Sequence, residues 1–336
     1  MTMVSGISRT VVVFTLLTLS LFGAAIWSLS AGAVPVSWQI IANTLFDLDG
    51  PRQDYIILRS RLPRTLLALL SGGCLAISGT IVQALLRNPL ASPKIIGINS
   101  GAALAVCLMV IALPDLPITY LPVAAVLGGC LAASLVWLGS EVGKVSPTRL
   151  VLIGIAVGFL FDAGVDYILV TSPSFKFSTP LVWLTGSLWA RGWAHLGLVW
   201  HVLLLLAVTS VILSYRLDLI RLGDAHATGL GMNVPRERFV LLALAVLLAA
   251  ISVSVVGVLG FVGLMAPHIA RSLVGGSHPV LQPCAILTGM FLVVLADATG
   301  RALAPPVEIS AGILTAMFGA PFFIFILITT GKAEQS

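Results

Sequence analysis

Charged residues are scarce in this chain of 336 amino acids. Only 9% of the residues are charged and 58% are hydrophobic, whereas soluble domains carry about 25% charged residues. The mean hydropathy of +1.09 indicates a protein that uses lipid as its solvent. Backbone polar groups in hydrocarbon must be paired within the protein, so only helices or closed barrels can span it. The apolar runs are continuous and exceed barrel strands of about 10 residues, which predicts an all-α, polytopic membrane protein.

Signatures of catalysis are missing as well. The sequence has no G-x-x-x-x-G-K-[ST] phosphate loop and no H-E-x-x-H, so it lacks the usual cradle for ATP and the usual zinc-protease pair. Its five histidines show no metal-ligand spacing. The basic residues are scattered rather than interleaved with aromatics, which argues against nucleic acid as a partner. We therefore expect no enzyme, no metal site and no cofactor. The four cysteines form no C-x-x-C pair and suggest apolar packing residues (Cys74, Cys107, Cys130, Cys284).

Apolar stretches of about 20 residues predict ten transmembrane helices. The first is longer than the 7–15 residues of a signal-peptide core, which favours a retained helix over a cleaved leader. The third and eighth are short. The predicted spans are Val11–Ala31, Leu62–Leu86, Ile95–Ala112, Leu121–Gly139, Leu150–Val170, Trp193–Leu213, Phe239–Leu259, Val262–Leu273, Val280–Ala298 and Ile309–Thr329.

An even number of spans places both termini on one side of the membrane. With that side taken as cytoplasmic, the basic residues obey the positive-inside rule only weakly, so the outer arginines need a reason of their own. The inner segments carry eleven basic residues: Arg9, Arg87, Lys94, Lys144, Arg149, Arg216, Arg221, Arg236, Arg238, Arg271 and Lys332. The outer segments carry seven: Arg52, Arg59, Arg61, Arg64, Lys176, Arg191 and Arg301.

One polar segment, Asp218–Phe239, interrupts the apolar runs between the sixth and seventh spans. Asp224 is expected to cap a short helix over Ala225–Leu230. Gly229 and Gly231 are expected to supply a positive-φ exit, and Pro235 to start the next helical piece. The pattern predicts a compact helix–turn–helix on the cytoplasmic face.

Two arginines of the outer segments, Arg61 and Arg64, stand about one turn apart at the outer mouth of the second span, and Arg301 lies at the outer end of the ninth. Guanidinium groups fit carboxylates, so these side chains are candidates for receiving a partner's acidic residues or an anionic ligand. The alternative is interfacial snorkelling without a specific partner. Asp297 stands four residues before Arg301, which also allows a local ion pair.

A carboxylate pair, Asp162 and Asp166, lies in the outer half of the fifth span. Carboxylates within a membrane are costly and often functional. An ion-coupled carrier would use such a pair; a structural or vestibule role is the alternative, because no basic residue within another span suggests a proton relay.

Small residues recur at four-residue spacing, as in Gly97 with Gly101 and Gly154 with Gly158, and cluster at Ser71-Gly72-Gly73. Small side chains on one helix face let backbones approach closely. Two interpretations stay open at this point: packing within one subunit, and a surface that lines a pore or contacts another subunit.

Three long motifs resemble one known family. RLPRTLLALLSGGCLAISGTIVQALLRNPLASPKIIGINSGA, GFVGLMAPHIARSLVGGSHPVLQP and ADATGRALAPPVEISAGILTAMFGAPFFIFIL are similar to the permeases of bacterial iron(III)-siderophore and vitamin B12 ABC importers. LVWLTGSLWARGW together with LDLIRLGDAHATGLGMNVPRERF is most similar to one of the two membrane subunits of ferric citrate importers. The resemblance implies a type II importer permease fold over the single domain 1–336, in the bacterial inner membrane.

The resemblance also implies partners: a second permease subunit (identical or a paralogue), two ATP-binding subunits, a periplasmic substrate-binding protein and the surrounding lipid. By motif, Arg61, Arg64 and Arg301 are expected to meet acidic residues of the binding protein. Cobalamin and haem are alternative substrates within the family, and an ion-coupled secondary carrier is a further alternative. Within a cytoplasmic coupling loop at 215–238, the residues expected to contact the ATPase are Gly223, Asp224, Ala225, His226, Ala227, Thr228, Gly229, Leu230, Gly231 and Met232.

Overall fold

The structure is a computed structural model, and it describes the backbone of residues 2–141, 147–172 and 178–333. Within these ranges the chain forms fourteen α-helices, with a π-helical turn at Tyr55–Arg61 before α3 and 3-10 turns before α4 and α5. The helices are α1 Thr2–Ser30, α2 Trp38–Leu45, α3 Leu62–Leu85, α4 Ile98–Ala112, α5 Leu121–Glu141, α6 Pro147–Thr171, α7 Ser178–Leu184, α8 Trp193–Ile212, α9 Ser214–Arg221, α10 Asp224–Gly229, α11 Val234–Val256, α12 Val262–Val274, α13 His278–Leu303 and α14 Ala311–Ala333.

Each of the ten predicted spans corresponds to one helix, in the order α1, α3, α4, α5, α6, α8, α11, α12, α13 and α14. Seven helices of the described ranges are long and apolar enough to cross a membrane, whereas α4 and the apolar part of α14 are shorter. The short third and eighth spans are therefore real but short helices, α4 and α12. Lys144 and Lys176, two of the basic residues counted above, lie outside the described residues, as does the side chain of Lys332.

Two helices begin well before their predicted starts: α1 at Thr2 rather than Val11, and α11 at Val234 rather than Phe239. Helix α11 begins there because Asn233 caps it through a hydrogen bond from the Arg236 amide (3.3 Å). The polar residues that follow Pro235 are therefore the first turns of a spanning helix. The short helices α2, α7 and α9 were missed. At 8, 7 and 8 residues they fall below the length at which hydropathy or helical periodicity is informative.

Helix α3 forms the centre of the bundle and is buried along nearly its whole length. It packs against α13, α11, α12 and α8, while α4, α5 and α6 form a second group that joins the first mainly through α11. Close backbone contacts hold these layers together. A Cβ atom on Gly79 would lie 1.8 Å from the carbonyl oxygen of Gly263, and one on Gly72 would lie 2.4 Å from that of Gly289.

The small-residue stripes noted in the sequence serve the same purpose. Gly101 faces Gly128 of α5, and Gly154 lies against the backbone of Ile95. Gly72, Gly101 and Gly154 therefore pack within the subunit, as one of the two interpretations held. Gly97 has a φ of +77° and ends the 3-10 turn before α4, a backbone conformation that other residues rarely adopt.

The two ends of α3 lie in two separate polar regions. Its 24 residues correspond to about 36 Å of helix, roughly the thickness of a bilayer core. Arg64 lies at the first end, which we call the cluster end, and Arg87 follows the second end, which we call the coupling end. Helix α13 runs the opposite way, from His278 at the coupling end to Arg301 at the cluster end.

Candidate functional site

The buried carboxylate of Asp297 organises the cluster end. Arg64 donates from Nε (3.0 and 3.1 Å) and from Nη2 (2.8 Å) to its two oxygens, and Arg301 donates from Nε at 3.1 Å. Asp297 is only 1% exposed, and both arginines are less than 10% exposed. This geometry joins the start of α3 to the end of α13. The local i,i+4 pair of Asp297 and Arg301 that the sequence allowed is confirmed.

The same guanidinium groups hold the end of α1. Arg301 donates to the carbonyl oxygens of Ala31 (2.7 Å) and Ser28 (2.8 Å) and to the Ser28 hydroxyl. Arg61 donates to the carbonyl oxygens of Leu29 (2.7 Å) and Ser30 (2.8 Å) and to that of Val34. Carbonyls at a helix end lack intrahelical donors, and cations there interact favourably with the helix dipole. The arginines thus complete the end of α1.

Glu308 is the exposed member of the cluster. Its Oε2 accepts from Arg64 Nη1 at 2.8 Å, and its side chain is 32% exposed. Together with Asp297 it gives two carboxylates against three guanidinium groups, so the cluster carries a net charge of +1. Glu308 was missed in the sequence because it follows α13 in a loop, where no helical spacing relates it to Arg64, 244 positions away.

The sequence suggested Arg61, Arg64 and Arg301 as candidates at the outer mouth for receiving a partner's acidic residues, and the structure shows that all three are buried. They are 7%, 9% and 4% exposed, and each is hydrogen-bonded within the chain. They are not snorkelling groups either, since their heads are fixed by a carboxylate or by helix-end carbonyls. The structure brings all three together, as their positions at the same end of the spans predicted.

The coupling segment, residues 215–238, is built from α9, α10 and the first turns of α11. The sequence predicted that Asp224 caps α10, but its side chain does not cap that helix. Asp224 lies in the first turn after Gly223, and its carboxylate accepts from Arg87 (2.6 Å) and Arg238 (2.9 Å). Arg87 and Arg238 therefore bind the carboxylate of Asp224 in place of the backbone amides at the start of α10. The consequence is a direct ionic link from α10 to the end of α3.

The exit from α10 uses one glycine rather than two. Gly231 has a φ of +84°, whereas Gly229 is the last residue of the helix and has no positive φ. The amide of Gly231 donates to the Thr228 carbonyl and that of Met232 to the Ala227 carbonyl (2.9 and 3.0 Å), as at a glycine-terminated helix end. The prediction for Gly231 is confirmed and that for Gly229 is wrong.

Further ion pairs fix the coupling segment onto the bundle. Arg216 of α9 donates to Glu237 Oε1 of α11 at 2.6 Å, and the hydrogen bond to Glu237 raises the pKa of Arg216. Asp218 accepts from the ring and the backbone of His278. Between these anchors, the surface of α10 is exposed except at Ala227, and Leu222 and Leu230 are 60% and 65% exposed. The segment presents two leucines on an otherwise polar, rigidly held surface.

Asp162 and Asp166 lie on an exposed face of α6. Neither forms an ion pair or a side-chain hydrogen bond within the described ranges of the chain. The neighbouring side chains Phe159 and Tyr167 are each 71% exposed. The part of the chain that the structure describes holds no group of three His, Cys, Asp or Glu side chains suited to a metal ion. The arrangement offers charge and shape for binding rather than a catalytic set.

Comparisons with known proteins agree over nearly the whole chain. Residues 17–329 match the model of the FecCD transport family. The chain is 41% identical to the Fe(3+)-citrate import system permease protein YfmE of Bacillus subtilis, over 95% of each chain. It is 40% identical to the Fe(3+) dicitrate transport system permease protein FecD of Escherichia coli, over 93% of this chain and 96% of that one.

A solved structure shows the same fold. A metal-chelate type ABC transporter in an inward-facing conformation superimposes with a TM-score of 0.83 at 33% identity, over 95% of this chain and 99% of the other. These similarities, together with the spanning helices, identify the chain as an integral membrane permease of the FecCD transport family.

Proposed function

We propose that this chain is the permease subunit of an ATP-driven importer that moves an iron(III) chelate, a ferric citrate or siderophore complex, across the bacterial inner membrane. The observation that carries the proposal is the full-length similarity to Fe(3+)-citrate permeases. The absence of a phosphate loop from the sequence agrees with ATP hydrolysis on separate subunits. Cobalamin and haem are the alternative cargoes.

In the proposed assembly the whole chain, residues 1–336, acts as one permease domain beside a second permease subunit, identical or a paralogue. Two ATP-binding subunits contact the coupling end, and a periplasmic binding protein docks at the cluster end. The coupling end then faces the cytoplasm, together with both chain termini. The hydrogen bond from Arg9 to the Ser272 carbonyl (3.0 Å), near the end of α12, places the N-terminal end of α1 at the coupling end.

The exposed face of α6 is proposed to line the translocation pathway. Asp162 and Asp166 are exposed there without an ion-pair partner among the described residues. An isolated carboxylate is costly against lipid tails, so a water-filled pathway or vestibule between two subunits is the favourable environment. A secondary carrier would also use a wet carboxylate pair, but the similarity to ABC permeases favours the importer.

Residues Gly223–Met232 are proposed as the surface that the ATPase contacts. Leu222 and Leu230 supply exposed apolar area, and the Arg87–Asp224 pair transmits displacement of α10 to α3. ATP binding can shift the bundle between outward and inward states only through a difference in binding energy between the two. The ionic link between Arg87 and Asp224 suits that role, because it connects α10 to the end of the central helix α3.

Arg61, Arg64 and Arg301 are proposed as the docking region for acidic residues of the binding protein. Because the three arginines are buried and Glu308 is partly exposed, an incoming carboxylate of the partner would approach Glu308 first. Arg64 has one exposed partner, Glu308, and one buried partner, Asp297. Docking is then an exchange, in which the incoming carboxylate takes the place of Glu308 while Asp297 stays.

The central experiment is co-expression of this chain with its ATPase, a second permease and the binding protein, followed by reconstitution in lipid vesicles. We expect ATP hydrolysis and uptake of radiolabelled iron to rise with one of a panel of ferric chelates delivered by the binding protein. Cobalamin and haemin complete the panel. Uptake that survives an inactive ATPase but collapses with the proton gradient would reject the importer in favour of a secondary carrier.

A further inference from the structure

A polar cavity of about 250 Å³ lies at the coupling end, beside the segment that follows α3. Its lining includes three arginines from three separate parts of the chain: Arg87 after α3, Arg221 at the end of α9 and Arg271 in α12. Gln83, which is 2% exposed, forms part of its wall. Arg221 belongs to the coupling segment and Arg87 pairs with Asp224 of α10, so the cavity borders that segment, but the functions proposed for the segment and for the pathway give the cavity no ligand.

The carboxylates within reach do not balance these cations. Arg87 is paired with Asp224, which also serves Arg238. Arg221 and Arg271 form no ion pair among the residues the structure describes. Asp218, one turn before Arg221 in α9, accepts instead from His278. The two arginines line the same cavity, where their like charges repel each other. Two unneutralised guanidinium groups therefore face one small polar cavity.

Hydrogen bonding is also incomplete there. Arg271 has one long contact, from Nη2 to Gln83 Oε1 at 3.4 Å, and its Nε is buried without a partner. Arg221 donates from Nη1 to the Gly276 carbonyl at 2.8 Å, which uses one of its five N–H groups. Arg221 is exposed, so water can solvate its other donors, whereas the buried Nε of Arg271 is an exception to the rule that buried donors are nearly always satisfied. A water molecule would accept these hydrogen bonds, but it would leave the charge uncompensated.

We propose that this cavity binds a phosphate group, held between Arg221 and Arg271 with Arg87 at its edge. Guanidinium forks match phosphate oxygens in geometry and charge, and the oxygens would accept the unpaired N–H groups of Arg271. The phosphate comes from one of two sources, the headgroup of an anionic phospholipid or free inorganic phosphate. A bound phosphate would brace α9 against α12, next to the coupling helix.

The test uses the full chain in nanodiscs of zwitterionic phosphatidylcholine. Binding of radiolabelled inorganic phosphate is measured against chloride at matched ionic strength, together with the thermal unfolding midpoint. We expect saturable binding and a higher midpoint with phosphate. The double variant Arg221→Gln, Arg271→Gln should bind about tenfold more weakly or worse, since hydrogen bonds to charged groups are strong. Arg59→Gln, an exposed arginine before α3, is the control and should bind like the unchanged protein.

Nanodiscs that contain phosphatidylglycerol distinguish the two sources. If lipid supplies the phosphate, the midpoint rises in these discs without added phosphate, and radiolabelled phosphate no longer binds. If free phosphate is the ligand, it binds equally in both kinds of disc. Should the double variant not fold, Arg221→Gln alone carries the test, because Arg221 is exposed.

Two results would overturn the proposal. One is binding and stability that are the same in the unchanged protein and the variants, which would indicate a cavity filled by water. The other is the absence of any response to phosphate or phosphatidylglycerol, combined with weaker ATPase binding by the variants, which would assign these arginines to a protein contact.

Discussion

Arg64 and Asp297 form a bidentate ion pair between the first turn of α3 and the last turns of α13, with the shortest of its three hydrogen bonds at 2.8 Å. The two residues are 233 positions apart, and Asp297 also accepts from Arg301. The buried carboxylate of Asp297 thus partly neutralises the guanidinium groups of Arg64 and Arg301. It connects α3 to α13 and, through Arg301, to the end of α1.

Replacing Asp297 should therefore destabilise the whole permease. Asp297→Asn removes the charge that offsets two buried arginines, and breaking a buried pair costs about 3–5 kcal/mol. We expect a clear fall in the thermal unfolding midpoint in detergent. Asp162→Asn, the same substitution at an exposed and unpaired position, should leave the midpoint nearly unchanged. Equal midpoints in the two variants would contradict the role given to Asp297.

The exchange at Glu308 predicts opposite effects on docking. Glu308→Gln removes the exposed competitor for Arg64 and should strengthen binding of the loaded binding protein. Arg61→Gln should weaken it, because Arg61 has hydrogen bonds to carbonyls but no carboxylate partner in the described chain. Surface plasmon resonance on nanodiscs measures both affinities. If Glu308→Gln also weakens docking, Glu308 is itself a contact and the exchange is wrong.

The two glycines of the coupling segment should respond differently to alanine. Gly231→Ala places a Cβ at a φ of +84°, which costs about 1–2 kcal/mol, and should lower the uptake obtained per ATP hydrolysed. Gly229→Ala falls in the helix, and a Cβ there meets no atom within 4 Å, so coupling should be preserved. The readout is the ratio of transported iron to released phosphate in vesicles. A loss of coupling in Gly229→Ala alone would contradict the assignment of the exit turn of α10 to Gly231.

Neutralising the exposed carboxylates of α6 should change transport but not folding. The double variant Asp162→Asn, Asp166→Asn keeps the side-chain shape, and exposed substitutions usually alter stability by less than about 0.5 kcal/mol. If these residues line the pathway, ATP-dependent uptake should change several-fold while the unfolding midpoint stays constant. Uptake identical to that of the unchanged protein would place this face outside the pathway.

Close helix packing at Gly79 gives a prediction for the core. Gly79→Ala would put a Cβ 1.8 Å from the Gly263 carbonyl oxygen, and overpacking of this kind costs about 1–3 kcal/mol or more. We expect a lower yield of folded protein and a lower unfolding midpoint. Gly23→Ala in α1, where a Cβ meets nothing within 4 Å, should be neutral or slightly stabilising because alanine favours helix.

Much of the fold could be predicted from the sequence because most of the chain lies in the hydrocarbon of a membrane. Each of the ten predicted apolar stretches became a helix, because a run such as Trp193–Leu213 cannot pair its backbone in lipid in any other way. Local rules also placed Pro235 at a helix start and Gly231 at a helix exit. They failed for Asp224 and Gly229, where contacts with distant residues or the exact end of a short helix decided the conformation.

Sequence by itself determined the class of protein, the order of its long apolar helices and the family, since these depend on composition, run length and motif order. Tertiary structure alone decided which charges meet. The pairing of Arg64 with Asp297 and Glu308, of Asp224 with Arg87, and the unbalanced Arg221 and Arg271 join positions far apart in the chain. The physical reason is that an ion pair forms only where two opposite charges lie within a few ångströms of each other, and only the packing of α3, α9, α10, α12 and α13 determines which residues come that close.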